Sequence, residues 1–282
     1  MFNYITLDQV KKHLKLTSTA DDEKLQDYIE WSSRLIEMWK GRRYDPRVQT
    51  RLYDVPQGNT SIFGVFDPSL SVSTSPRVLR LDDDLLEVTE ILNGDEEEIT
   101  AYVLEPANEY PKNRIRLRSE ATFVNSDDGP EQAISVEGIW GYHDRWSDAW
   151  SVIGELETES DVEGGIDADD DEIILTDAEI GQLLRLDTEY VLVLDVADDV
   201  VTIERGYNGT TAAAHDAGTE VELFSLMGQI VQVCYRLVKW RYVQKDADNF
   251  DRSYVMGAGV ISTPTSLPAD VVRILGPRKA RL

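Results

Sequence analysis

Three histidines, His13, His143 and His215, and a single cysteine, Cys234, carry the side chains best suited to binding a transition metal or attacking a carbonyl. None has a second histidine or cysteine at ligand spacing, so the pattern does not describe a zinc site. One cysteine also excludes an internal disulfide, and its apolar helical surroundings make Cys234 a small core residue. Asp167, Asp169 and Asp171 imitate the opening of a calcium loop, in which alternating carboxylates converge on a hard cation. Glu172 stands where that loop needs a glycine, and Glu179 is out of step with the closing position. A solvated acidic loop is the expectation, with weak calcium binding left open. Asp144 and Asp148 form a carboxylate pair of the kind that does acid-base work, but with 53 acidic residues such coincidences are common. The segment GIWGYHDRWSDAW clusters Trp140, Tyr142, Trp146 and Trp150, whose rings stack on sugars when exposed and close a core when not. No phosphate-binding loop, dinucleotide fingerprint or nucleophile elbow occurs. The expectation is therefore no enzyme activity, no cofactor and no metal.

The net charge of -25 is unevenly spread. Residues 1–45 balance, 46–150 sum to -11, 151–226 to -19 and 227–282 to +5. An acidic body repels nucleic-acid and membrane phosphates, whereas the basic end suits an acidic partner. No uninterrupted apolar run reaches membrane-spanning length, and the start lacks the basic-then-apolar order of a signal peptide, so a soluble chain made in the cytoplasm is expected.

The elements that must position these residues change period along the chain. Thr6 and Gln9 have capping-box spacing, with Ile5 and Val10 placed as a hydrophobic staple, so a short helix is predicted from Leu7, burying Leu7, Val10 and Leu14. Asp21, Asp22 and Glu23 open a second helix of about 20 residues, roughly 30 Å long, with Leu25, Ile29, Ser32, Ile36 and Trp39 on one face and Gly41 at its end. From Thr50 the period becomes two, predicting strands at 51–55, 61–66, 77–81, 86–92, 99–104, 114–117 and 133–142 in an antiparallel sandwich or barrel. Residues 151 to about 170 read as an acidic linker. Strands at 172–175, 183–187, 190–196, 200–205 and 219–224 then form a second β unit, with Asp198-Asp199 and Asn208-Gly209 as hairpin turns. A last helix is predicted over 226–246, apolar on a wide arc. The fold class is thus α+β, with N- and C-terminal helices forming a helical core around a β-rich middle. The expected divisions are 1–46, 47–150, 151–225, 226–248 and an extended basic tail, 249–282, disordered or ordered by a partner.

Two segments carry a resemblance. The opening YITLDQVKKHLKLTSTADDEKLQDYIEWSSRLIEMWKGRRYDP resembles the start of head-tail connector (adaptor) proteins of tailed bacteriophages, a short helix followed by a longer one ending in a W-x-G-R-like turn. The segment VVTIERGYNGTTAAAHDAGTEVELF is similar to a hairpin met in phage structural proteins, where R-G precedes N-G-T-T-A-A-A-H and A-G-T. The resemblance implies a virion protein at the neck, assembled in the host cytoplasm as a ring of about twelve identical subunits docked on the portal protein. A stopper or tail-completion protein would lie below it, and DNA would pass through its channel without specific binding. It further implies a portal interface at Arg273, Arg278, Lys279 and Arg281, with Arg34, Arg42 and Arg43 left to pair with a neighbour's carboxylates in the ring. Adaptors of this type are often mostly helical and shorter, so the β-rich middle departs from the simplest pattern. The alternative is a tail or receptor-binding β module recognising a glycan or cell surface through the aromatic segment.

Overall fold

The computed structural model describes residues 2–56, 77–156, 165–244, 253–254, 261–262 and 267–277. The chain is α+β, with two large antiparallel sheets and four helices among these residues. It divides into two compact units: residues 42–149 with 208–210, and residues 1–41, 150–207 and 211–282.

The first of these holds one five-stranded sheet. Its strands are β1 (Arg47–Tyr53), β2 (Val78–Leu92), β3 (Tyr102–Glu105), β4 (Lys112–Leu117) and β5 (Ile134–Trp140), in the order β1-β5-β2-β4-β3. Strands expected at 77–81 and 86–92 are a single strand, because β2 changes partners rather than ending. Its first half pairs with β4 up to Leu85, and from Leu85 onward it pairs with β5 through two register shifts. Such bulges bend a strand without breaking it. Leu79, Leu85, Ile91, Ile115, Ile134, Val136 and Trp140 form the core beneath it. The strand expected at 61–66 lies outside the described residues.

The other unit joins four helices to a six-stranded sheet. The helices are α1 (Leu7–Leu14), α2 (Asp22–Lys40), α3 (Gly228–Val243) and α4 (Ala269–Leu275). The capping box is formed as the spacing predicts: the Gln9 amide donates to Thr6 Oγ1 at 3.2 Å and the Thr6 amide to Gln9 Oε1 at 3.3 Å. Only Val10 of α1 is buried, with Leu7 and Leu14 half-buried. Leu25, Ile29, Ser32 and Ile36 line the buried face of α2, and Gly41 caps it at φ 61°. Ile230, Val233, Cys234, Leu237 and Val238 face them from α3. Trp31 stacks on Trp240, and His13 on Tyr235. The end of the chain, expected to lack a core, contributes one: Val271 and Leu275 of α4 are buried against α2 and α3, where Trp39 Nε1 and Lys40 Nζ donate to the Gly276 and Leu275 carbonyls.

The sheet comprises β6 (Trp150–Glu155), β7 (Glu172–Ile174), β8 (Leu183–Leu186), β9 (Glu189–Ala197), β10 (Val200–Glu204) and β11 (Glu220–Phe224), ordered β6-β11-β8-β9-β10-β7. Two expectations are corrected. The stretch from 151 is not a linker at its start but the edge strand β6, held by β11 and anchored by buried Leu156. Asn208-Gly209 does not close a hairpin, because β10 pairs with β9 and β7 whereas β11 pairs with β6 and β8. The Asp198-Asp199 turn does close one, joining Ala197 to Val200 with Asp198 at φ 58°. Two-residue strands β12 (Ser253–Tyr254) and β13 (Ile261–Ser262) pair with each other.

Candidate functional site

The densest polar centre among the described residues is built on Glu189, which is 1% exposed. The β8–β9 turn, with Asp187 at φ 51°, sets Leu186 opposite Glu189 and turns that carboxylate inward. Arg205 approaches from the end of β10, donating through Nε to Oε1 and through Nη2 to Oε2, both at 2.9 Å. The Gly206 and Ala213 amides donate to the same two oxygens at 2.8 and 3.0 Å. His215 completes the set, with Nε2 2.9 Å from Glu189 Oε2 and Nδ1 2.9 Å from Asp187 Oδ2. Both ring nitrogens thus face carboxylate oxygens. Burial by itself would raise the Glu189 carboxyl; Arg205, the Gly206 amide, His215 and the Ala213 amide more than offset it and hold the group at about 2. Gly165 passes so close to this loop that an added Cβ would fall 1.5 Å from the His215 carbonyl oxygen.

Five donors on one carboxylate leave it no capacity as a base. The arrangement ties the 205–215 loop to the sheet, which makes it a lock rather than a reaction centre. Four members of the quoted R-G…H segment, Arg205, Gly206, Ala213 and His215, therefore serve one acceptor that the segment does not contain. Glu189 was not legible as that acceptor among the 21 acidic residues of 151–226.

The N-G pair of the same segment belongs to the five-stranded unit. Asn208 Nδ2 donates to the Pro46 carbonyl at 2.8 Å and to Asp45 Oδ2 at 3.2 Å. Asp45 is buried and also receives Arg43 and Arg47. Gly209, at φ 86°, lies against Val48, whose carbonyl an added Cβ would meet at 2.3 Å.

The arginines assigned to a ring contact have partners within the chain. Arg34 donates to Glu37 and to the Phe2 carbonyl, Arg42 lies over Tyr142 and 3.2 Å from Asp84, and Arg43 donates to Asp45. Arg273 is exposed on α4; Arg278, Lys279 and Arg281 lie outside the described residues. In the aromatic segment Trp140 and Trp146 are buried, Tyr142 meets Tyr44 edge-on, and Trp150 lies between Tyr190 and the Arg185 guanidinium. Asp144 and Asp148 are exposed. The Asp167 and Asp170 carbonyls accept Arg205, and Glu179 accepts the Thr6 hydroxyl at 2.6 Å. Among the described residues no group of three or more His, Cys, Asp or Glu side chains is arranged to hold a metal ion, and no helix is long and apolar enough to cross a membrane. Cys234 is fully buried, and burial pushes its thiol up to about 12. His143 is buried and accepts the Arg145 amide at 3.1 Å.

No protein-family model, curated protein or solved structure matches the chain.

Proposed function

We propose that the chain is a non-catalytic structural protein of a tailed-phage virion, a head-tail adaptor whose subunits form a ring on the portal and lengthen the DNA channel. One observation carries the reading. The two segments that resemble phage proteins, far apart in sequence, fold into the same compact unit, apart from residues 42–46 and 208–210. Within that unit the Phe2 amide, two residues before the first segment, donates to the hydroxyl of Tyr207 in the second at 2.6 Å, and the Thr6 hydroxyl of the first donates to Glu179, which lies outside both. In this reading the helices from both ends make the core of each subunit, and the acidic surface keeps DNA phosphates from adhering to the channel, since like charges repel within about 8 Å at physiological salt. The basic residues Arg273, Arg278, Lys279 and Arg281 meet the portal. A glycan-binding module has less support, because Trp140 and Trp146 of its candidate segment are buried.

The test is electron microscopy of purified portal mixed with the full chain, or with a chain ending at Pro277 so that α4 keeps its contacts. Capture of the full chain as a ring on the portal axis is expected, with weaker capture of the shortened one. A portal that captures neither overturns the adaptor reading, and equal capture of both removes the role of the last five residues.

A further inference from the structure

The outer surfaces of the helical unit present two apolar patches of opposite charge. One is the tip of the β9–β10 hairpin. Thr202 pairs with Asp195 but Ile203 pairs with Val193, so Leu194 is an extra residue in a bulge. A bulge re-aims a side chain, and this one leaves Leu194 48% exposed, while Val200, next to the turn, is 38% exposed. Asp195, Asp198 and Asp199 are exposed on the same hairpin. The other patch is the outer face of α3 and α4. Gln232, Arg236, Lys239 and Val243 follow one another at helical spacing on exposed positions, with Val243 73% exposed. Arg236 pairs with Asp270 at 2.6 Å, bringing α4 alongside. Between the two helices lies an open groove of about 390 Å³ lined by Gly228, Gln229, Gln232 and Ile274. Ile274 is 43% exposed, and Lys239 and Arg273 have no ion-pair partner among the described residues.

We propose that the β9–β10 hairpin tip of one copy docks on the α3–α4 face of the next, with Leu194 in the groove at Ile274 and with Asp195 and Asp199 facing Lys239 and Arg273. The occupant is a second copy because the chain carries both halves of the match: an acidic hairpin with exposed Leu194, and a basic helical face with an apolar groove at Ile274. Two different surfaces on identical subunits make a head-to-tail contact, which closes into a ring when the rotation permits. This assigns a task to the acidic sheet, and it rests on the ring reading above for its biological meaning.

Cross-linking tests it. Asp199→Cys and Lys239→Cys variants of the full chain, made separately and mixed, are treated with a short bismaleimide; native Cys234 is fully buried and does not compete. A covalent heterodimer in the mixture, absent from either variant alone, is expected. Asp195→Lys/Asp199→Lys and Lys239→Glu/Arg273→Glu chains, each carrying the reporter cysteine at an unreversed position nearby, should each lower the yield at least about tenfold through like-charge juxtaposition, and combining the two reversed partners should restore it. Asp198 is left unchanged because its positive φ disfavours lysine. Cross-linking no stronger in the mixture than in the single variants, or indifferent to both reversals, overturns the contact. Portal capture by the same preparations is read separately. Normal capture without the cross-link sinks this contact alone, and the cross-link without capture sinks the adaptor reading alone.

Discussion

Glu189 shows how much one buried charge can organise. Replacing it with glutamine removes the anion that faces the nearly buried Arg205 guanidinium and puts an NH2 group where one carboxylate oxygen accepts at least two donors. Breaking a buried ion pair costs about 3–5 kcal/mol, so Glu189→Gln is expected to lower the unfolding free energy by that order, seen as a lower urea midpoint with an unchanged denaturant slope. The same residue sets a pH dependence. Its carboxyl sits at about 2 in the folded chain against 4.5 for the ordinary group, so its contribution is complete above pH 4.5 and is lost as pH falls towards 2. The shift corresponds to about 3 kcal/mol, and the stability gap between wild type and Glu189→Gln should narrow over that window in denaturation curves. Cys234 makes a simpler case: with its thiol at about 12 and no exposed surface, it should resist aromatic disulfide reagents until the chain is unfolded. Arg205, Gly206 and His215 stood out in the sequence only as members of the R-G…H segment, not as partners of one acceptor. Their acceptor was not, since nothing in residue type or spacing separates Glu189 from its acidic neighbours.

Among the elements, helices were the most readable. A 3.6-residue period, the Thr6–Gln9 box and the Gly41 cap are local signals, and local signals survive into the folded chain. Strand β6 had none: its two aliphatic residues, Val152 and Ile153, are adjacent rather than alternating, and the strand exists because β11 pairs with it. The single long β2 was likewise hidden, since its midpoint holds Asp82, Asp83 and Asp84, a run that reads as a turn until β4 and β5 take over the two halves. Two substitutions probe these elements. Leu237→Ala, fully buried on α3, should cost about 2–5 kcal/mol by thermal or chemical denaturation, as large-to-small core changes do. Gly165→Ala should disturb the sheet more than an ordinary loop change, because its new Cβ would land on the His215 backbone; the sign to seek is loss of amide protection across 205–215 in hydrogen exchange.

At the scale of the whole molecule, charge governs association. A subunit of -25 repels its copies at low ionic strength, where the Debye length is about 30 Å at 0.01 M, and less so at physiological salt. The proposed contact between the hairpin tip and the α3–α4 face is itself electrostatic and weakens as the Debye length falls to about 3 Å at 1 M. Self-association measured by sedimentation velocity should therefore rise from 0.01 M to about 0.15 M salt and fall again towards 1 M. A monotonic increase would point to an apolar contact without the charge match.

The lack of a phosphate loop, nucleophile elbow or histidine pair, the alternation of α and β periods and the segregation of charge are properties of residue order alone. Which strands pair, where the acidic sheet belongs and what Glu189 is for depended on contacts between residues far apart in the chain. Tyr207 meets Phe2 across 205 positions, and Gly276 meets Trp39 across 237. Spacing encodes a helix face or a cap because the partners are neighbours in the chain; it does not encode which distant group will answer a buried carboxylate. The acidic second β unit, expected as a division of its own, thus became, through its packing, part of the same unit as the helices.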